Sequence, residues 1–243
     1  MCTVSWTEGL DTFELFSNRD EQRTRPSALP PSTWTGERGG RFLAPIDSAA
    51  QGTWISVNEH GVALCLLNHY QAQAPPTETP KSRGWIVRGL ADAGDAFAVR
   101  QALEEQDLRA YPGFRLLVLQ PGEPARLAHW DGVQFAWADQ VRAPLISSGY
   151  ALEQVTQSRL RVFRQLEAEY GGVSVEMLSA FHKSELPEPG PLAVNMNRED
   201  ARTVSLTTVS VSTEVVELTY YPGPPAEDPP ALTHRLKRVG ALN

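Results

Sequence analysis

Two short stretches carry the residues whose types and spacing could do chemistry. The chain opens Met1-Cys2-Thr3, and Asn18-Arg19-Asp20-Glu21 follows on the next segment. Initiator methionine is generally trimmed when the next residue is as small as cysteine, and Cys2 would then carry a thiol and a free α-amine. An α-amine, with an unperturbed pKa of about 7.7–8.0, can take the thiol proton, so one residue would supply both nucleophile and base. An early cysteine is equally an ordinary member of an edge strand, so the reading depends on its company. Arg19 could depress the thiol pKa, and Asp20 could accept a hydrogen bond from the α-ammonium. These two are adjacent, however, and adjacent side chains on a strand point to opposite faces. Both reach Cys2 only if the strand ends or bulges there; the alternative is a buried Arg19–Asp20 pair with a structural role.

The elements that must position these groups are read from pattern. Cys2 to Trp6 and Thr12 to Ser17 flank the turn cluster Glu8-Gly9-Leu10-Asp11 and predict a hairpin. Glu21 to Gly40, rich in Pro, Gly, Arg and Ser, reads as a long loop bordering a site. Trp54 to Asn58 alternates, and Val62 to Leu67 is an apolar run of strand length, buried on both faces. Arg83 to Leu90 and Asp95 to Gln106 predict helices. A second strand block covers Phe114–Leu119, Ala125–Trp130 and Val133–Trp137, with turns at Pro121-Gly122 and Asp131-Gly132. Leu152 to Tyr170 carries an apolar stripe ended by Gly171-Gly172, and a shorter helix starts at the N-cap Ser174. Val204–Val211 and Glu214–Tyr221 are the last strands expected, followed by a proline-rich excursion from Pro222 to Pro230. With neither repeat nor linker, residues 1–243 read as one domain: α+β, two sheets face to face, helices on the outside.

Composition narrows the function classes. The 243 residues carry a formal charge of −7 without a Lys/Arg run, which argues against nucleic acid as a partner. No stretch reaches the ~18 apolar residues a membrane span needs, and the start lacks the pattern of a secretory signal. Two cysteines are too few for a disulfide framework, so a cytoplasmic protein with reduced thiols is expected, Cys65 being a small buried hydrophobe. The five histidines lack metal-ligand spacing, and no cofactor is expected.

Met1-Cys2, Asn18-Arg19-Asp20-Glu21 with Arg25-Pro26, Trp34, Gly52-Thr53-Trp54 and Leu67-Asn68 resemble the NRDE family, whose eukaryotic members are called transport and Golgi organisation protein 2. The resemblance is strongest in the N-terminal third and extends diffusely through Ser82-Arg83-Gly84 and the strand after Arg202. It implies the four-layer αββα sandwich of the N-terminal nucleophile (Ntn) hydrolases. Asn58-Glu59-His60-Gly61 through Leu67-Asn68-His69 also looks like the segment of choloylglycine hydrolases and penicillin V acylases that ends in a catalytic asparagine. By that likeness Asn68 would donate to an oxyanion, although an asparagine there could simply cap a strand. Arg202 would match the late arginine of those amidases or be a surface residue at a strand start. The site implied is Cys2, Asn18, Arg19, Asp20, Asn68 and Arg202.

Two function classes follow. The first is a cysteine Ntn hydrolase acting on a small acyl-amide or lipid-like substrate, with Trp34, Trp54 and Trp85 favouring an apolar or ring-bearing group. The second is a non-catalytic binding or trafficking protein on the same fold, for which the resemblance implies haem or acyl-CoA as ligands. The state of residue 2 separates them, because hydrolysis needs a free Cys2 amine.

Overall fold

The computed structural model describes residues 2–240. Strands β1 (Cys2–Glu8) and β2 (Phe13–Gln22) form the expected hairpin. Next come β3 (Leu29–Thr35), β4 (Arg41–Ile46), β5 (Ile55–Asn58) and β6 (Ala63–Asn68), then α1 (Gly84–Leu90) and α2 (Ala96–Glu105). Strands β7 (Phe114–Leu119), β8 (Arg126–Trp130), β9 (Phe135–Ala138) and β10 (Leu145–Ser147) precede α3 (Leu152–Tyr170) and α4 (Val175–Lys183). The chain closes with β11 (Ala201–Val211), β12 (Val215–Tyr221) and β13 (Leu232–Lys237).

The strands make two antiparallel sheets, ordered β10-β1-β2-β11-β12-β13 and β3-β4-β5-β6-β7-β8-β9. Their inner faces meet over a core that includes Val4, Leu15, Val57, Leu67, Leu117, Val209 and Leu218. Each such side chain, fully buried, contributes about 1.5–3 kcal/mol. Helices α1 and α2 cover the outer face of the second sheet through Ile86, Val87, Val99 and Leu103 against Leu64, Leu66 and Leu116. Helices α3 and α4 cover the first through Val162, Phe163, Leu178 and Phe181 against Phe16 and Leu206. The architecture is the four-layer αββα sandwich.

Local chemistry sets the helix bounds. The Asp95 side chain accepts from the Ala98 N–H at 2.7 Å and starts α2, and Ser174 does the same for α4. Gly171, in the left-handed region at φ 73°, ends α3.

Three departures from expectation concern strands. The stretch read as a loop from Glu21 to Gly40 contains β3, an edge strand whose Pro30 and Pro31 fall where its register to β4 shifts between Leu29 and Ser32. An edge is where strand prolines are tolerated. Strand β10 has three residues, too few to show a period, and β13 is an edge strand with polar residues interleaved.

Candidate active site

Cys2 opens β1 and is flanked on both sides, by Arg19 of β2 and by Ser147 of β10. Ladder partners share a face. Arg19 therefore points with Cys2 between the sheets, while Asn18 and Asp20 reach toward α3 and α4. Alternation survives through the whole Asn18–Glu21 stretch. The bulge lies instead in β11, whose register jumps between Thr203, opposite Asp20, and Ser205, opposite Arg19.

A cleft of about 380 Å³ opens here, lined by Cys2, Arg19, Asp20 and Asn68 together with Asp47 and Arg83. Arg19 is held on three sides. It donates to Asp47 at 2.7 Å, lies 3.5 Å from Glu21, and its guanidinium sits 4.3 Å from the Trp54 ring centroid. Arg25 donates to the same Asp47 oxygen at 2.9 Å. Burial works to raise the Asp47 pKa, but hydrogen bonds from Arg25 and the Ala50 N–H and the Arg19 charge hold it below the usual carboxylate range.

Asp20 borders the cleft from the other face. Its carboxylate accepts from Thr203 Oγ1 at 2.6 Å and lies 3.3 Å from Arg159 Nη1, and this guanidinium also donates to Thr3 Oγ1. Arg159 is wholly buried, so Asp20 is the carboxylate that makes its burial tolerable. Burial pushes the Cys2 thiol up and the Asp20 charge adds to this, while Arg19 and a hydrogen bond from the Asp20 main chain oppose it.

Asn68 ends β6, and its side-chain amide donates to the Tyr70 hydroxyl at 2.9 Å. Its carbonyl accepts from Ser147 Oγ at 2.7 Å. Because Ser147 is the ladder partner of Cys2, this bond ties the end of β6 to the cysteine strand in the opposite sheet. Gly52 and Gly84 bring in the remaining wall. A Cβ on Gly52 would stand 2.6 Å from the Gly84 carbonyl carbon, and one on Gly84 would stand 2.9 Å from the Thr53 nitrogen. Only glycine permits this approach, which the bond from Thr53 N–H to the Gly84 carbonyl then locks at 3.1 Å. It places Arg83 in the cleft.

A family model described as Transport and Golgi organisation 2 matches residues 1–185. The chain belongs to this family. No curated protein sequence matches it. Among solved structures it is similar to a mutant of the conjugated bile acid hydrolase from Clostridium perfringens, with TM-score 0.61 and 10% identity over 96% of this chain and 92% of that one. It is also similar to the Caenorhabditis elegans N-acylethanolamine-hydrolyzing acid amidase ortholog, with TM-score 0.59 and 10% identity over 86% and 92%. At such identity the likeness shows the Ntn-hydrolase fold.

In this family member the cleft brings Cys2, Arg19, Asp20 and Asn68 together across two sheets. Asn18 is not among them. Strand alternation sends its amide away, to the carbonyls of His182 at 2.9 Å and Val194 at 3.1 Å. The Asn18 side-chain oxygen lies 3.0 Å from His182 Nδ1, and His182 Nε2 lies 2.8 Å from Ser5 Oγ. This Ser5–His182–Asn18 chain is sealed, and burial, with help from Arg159, lowers the His182 pKa to about 3. It staples α4 to β1 and β2. Arg202 stands opposite Glu21 in the ladder and does not line the cleft. Nor do Arg19 and Asp20 pair with each other, since each faces a different layer.

Sequence reasoning missed Arg159 and Asp47. The signal for Arg159 was present, because it interrupts the apolar stripe of α3 between Val155 and Val162. A cation on the packed face of a helix calls for a buried carboxylate. Asp47 carried no comparable mark.

Proposed function

We propose that this chain is a cysteine Ntn hydrolase acting on a linear acyl-amide. The observation that carries the reading is the shared cleft: Cys2, its ladder partner Arg19, and Asn68 from the facing sheet line one cavity. Likeness over most of the chain to a conjugated bile acid hydrolase and to an N-acylethanolamine-hydrolyzing acid amidase ortholog supports the fold-level analogy and the treatment of residues 1–243 as one domain.

In this mechanism the free α-amine of Cys2 takes the thiol proton. The thiolate attacks the amide carbonyl, forming a C–S bond and an oxyanion that Asn68 Nδ2 receives once it leaves Tyr70. Collapse breaks the C–N bond, and the α-ammonium returns its proton to the departing amine. Water, deprotonated by the same amine, cleaves the thioester to the acid and restores the thiol. Asp20 is the counter-ion that orients the ammonium, and Arg19 favours the thiolate. Met1, whose removal this requires, lies outside the described residues. An α-ammonium on Cys2 itself would offset the burial that now raises its thiol.

The wide groove that adjoins the cleft at Lys81 and Ser82 supports a second reading, in which the cleft carries a ligand such as haem or an acyl-CoA without turnover. Intact mass reports the loss of Met1, and a panel of acyl-amides reports hydrolysis. Cys2→Ser should abolish turnover and leave the melting temperature within about 2 °C of wild type, since size and amine are kept. Retained Met1, or undiminished turnover by Cys2→Ser, rejects the hydrolase. Stabilisation by haem or acyl-CoA with no amide cleaved selects the carrier.

A further inference from the structure

The charges around the cleft do not balance, and the imbalance has a location. Arg19 and Arg25 are taken up by Asp47 and Glu21, and Asp20 is taken up by Arg159. Two cations on the cleft wall remain, Lys81 and Arg83. Among the described residues neither has a carboxylate within ion-pair distance. Arg83 spends one nitrogen on the Gly113 carbonyl at 3.0 Å, and burial lowers its pKa against the more distant charge of Glu21, a carboxylate already shared by Arg19 and Arg25. The Lys81 ammonium lies 5.9 Å from the Tyr111 ring centroid. The carboxylate whose charge Lys81 influences, Asp107, is already forked by Arg109 at 2.8 and 2.9 Å. A half-buried guanidinium with no counter-ion is costly unless a ligand supplies one.

A second cavity meets the cleft at this point. Lys81 and Ser82 also line a groove of about 970 Å³ whose walls include Trp34, Trp85 and Tyr111. Arg88 stacks between the two tryptophans, 5.3 Å from the Trp34 centroid and 5.1 Å from that of Trp85, so the wall is pre-built. Trp85 is nonetheless 46% exposed, a large apolar surface left open beside a cavity. Glu37 and Glu105 also line the groove. They stand against Arg38, itself paired with Asp92 at 3.0 Å, and Arg88, which donates to the Gln51 carbonyl at 2.7 Å, so the charges of the groove largely offset and the net positive charge lies at the junction.

We propose that Arg83 and Lys81 form an anion subsite at this junction, and that the ligand of the Cys2 cleft is an elongated amide with an acidic group held there and an apolar body along the Trp34–Trp85 wall. The proposal deepens the hydrolase reading by naming its substrate class, and binding can be read apart from turnover.

The experiment uses the full-length Cys2→Ala protein, in which binding is measured without cleavage, and two probes of equal chain length. N-dodecanoylglycine carries a carboxylate, and N-dodecanoylethanolamine is its neutral counterpart. The acidic probe should bind at least ten-fold more tightly at low salt, with the preference shrinking as ionic strength rises. Arg83→Gln should weaken the acidic probe at least ten-fold and the neutral one less than two-fold, and Arg83→Lys should recover part of the loss. Lys81→Gln, less buried and so a safer variant to fold, should cost the acidic probe about three-fold, whereas Arg235→Gln, on the β13 edge and outside both cavities, should change neither. Equal affinity for the two probes, no binding of the acidic one, or equal losses for both in Arg83→Gln would overturn the subsite. If the acidic probe binds as expected but processed wild-type protein does not cleave it, the subsite stands and the hydrolase reading falls.

Discussion

Replacing Asp20 by alanine removes the carboxylate that Arg159 is buried against. In the wild type that carboxylate takes a hydrogen bond from Thr203 at 2.6 Å and faces the guanidinium at 3.3 Å, and Arg159 has no exposed surface. Its Nε and Nη2 already lack partners among the described residues, so the side chain has little left to satisfy it once Asp20 is gone. Breaking a buried pair by deleting one member typically costs about 3–5 kcal/mol. At about 2–4 °C per kcal/mol for a chain of this size, Asp20→Ala should melt about 6–20 °C below wild type. Arg159→Met should be similarly damaging, because it removes the guanidinium that faces the buried Asp20 carboxylate. The double variant should lose far less than the sum, since an apolar replacement of both partners is often neutral. The assay is urea and thermal unfolding of the two single variants and the double. Strictly additive losses, or an Asp20→Ala protein within about 2 °C of wild type, would show that the carboxylate does not hold Arg159 in place.

Three further outcomes are expected. Asn68→Ala should lower kcat for an amide substrate by about 10²–10³ with KM little changed, as for a lost oxyanion donor; an equal rise in KM would point to ground-state binding instead. Brief iodoacetamide treatment followed by peptide mapping should modify Cys2, which lines the cleft, before Cys65, whose burial pushes its thiol up to about 12; the reverse order would place the accessible thiol elsewhere. His182 is kept neutral, with its pKa lowered to about 3 from an ordinary 6.5, so the unfolded chain binds the proton first. Stability should therefore fall as pH drops from about 6.5 toward 3, by up to about 1.4 kcal/mol per pH unit from this group. His182→Gln should show that much less slope, and an unchanged slope would mean that the ring is already charged.

Sequence periodicity revealed the long elements and not the short or edge ones. Leu152 to Tyr170 matches α3 end to end because an apolar stripe and a glycine stop agree, and the apolar run before Asn68 matches β6 because nothing else suits its length. Strand β3 hid behind its prolines, and β10 is too short to carry a pattern. The lining of the candidate cleft was legible where residues sit in linear motifs, as with Cys2, Arg19, Asp20 and Asn68. Facing was harder. Asn18 shares a motif with Arg19 yet belongs to the opposite layer, and its partner His182 comes from a helix far along the chain. Alternation on β2 foretold that Arg19 and Asp20 diverge, but not that Arg159 of α3 waits on the far side.

The three residues of β10 have a consequence for motion. The leading residues of a first strand are ordinarily where a chain frays. Here Cys2, Thr3 and Val4 are hydrogen-bonded into β2 on one side and β10 on the other, with Ser147 pinned in turn to the Asn68 carbonyl. Peeling that end away would mean opening two ladders and a cross-sheet bond at once. Amide deuterium uptake at these residues would then track global unfolding rather than local breathing, and the reach of the Cys2 sulfur would be governed by side-chain rotation alone.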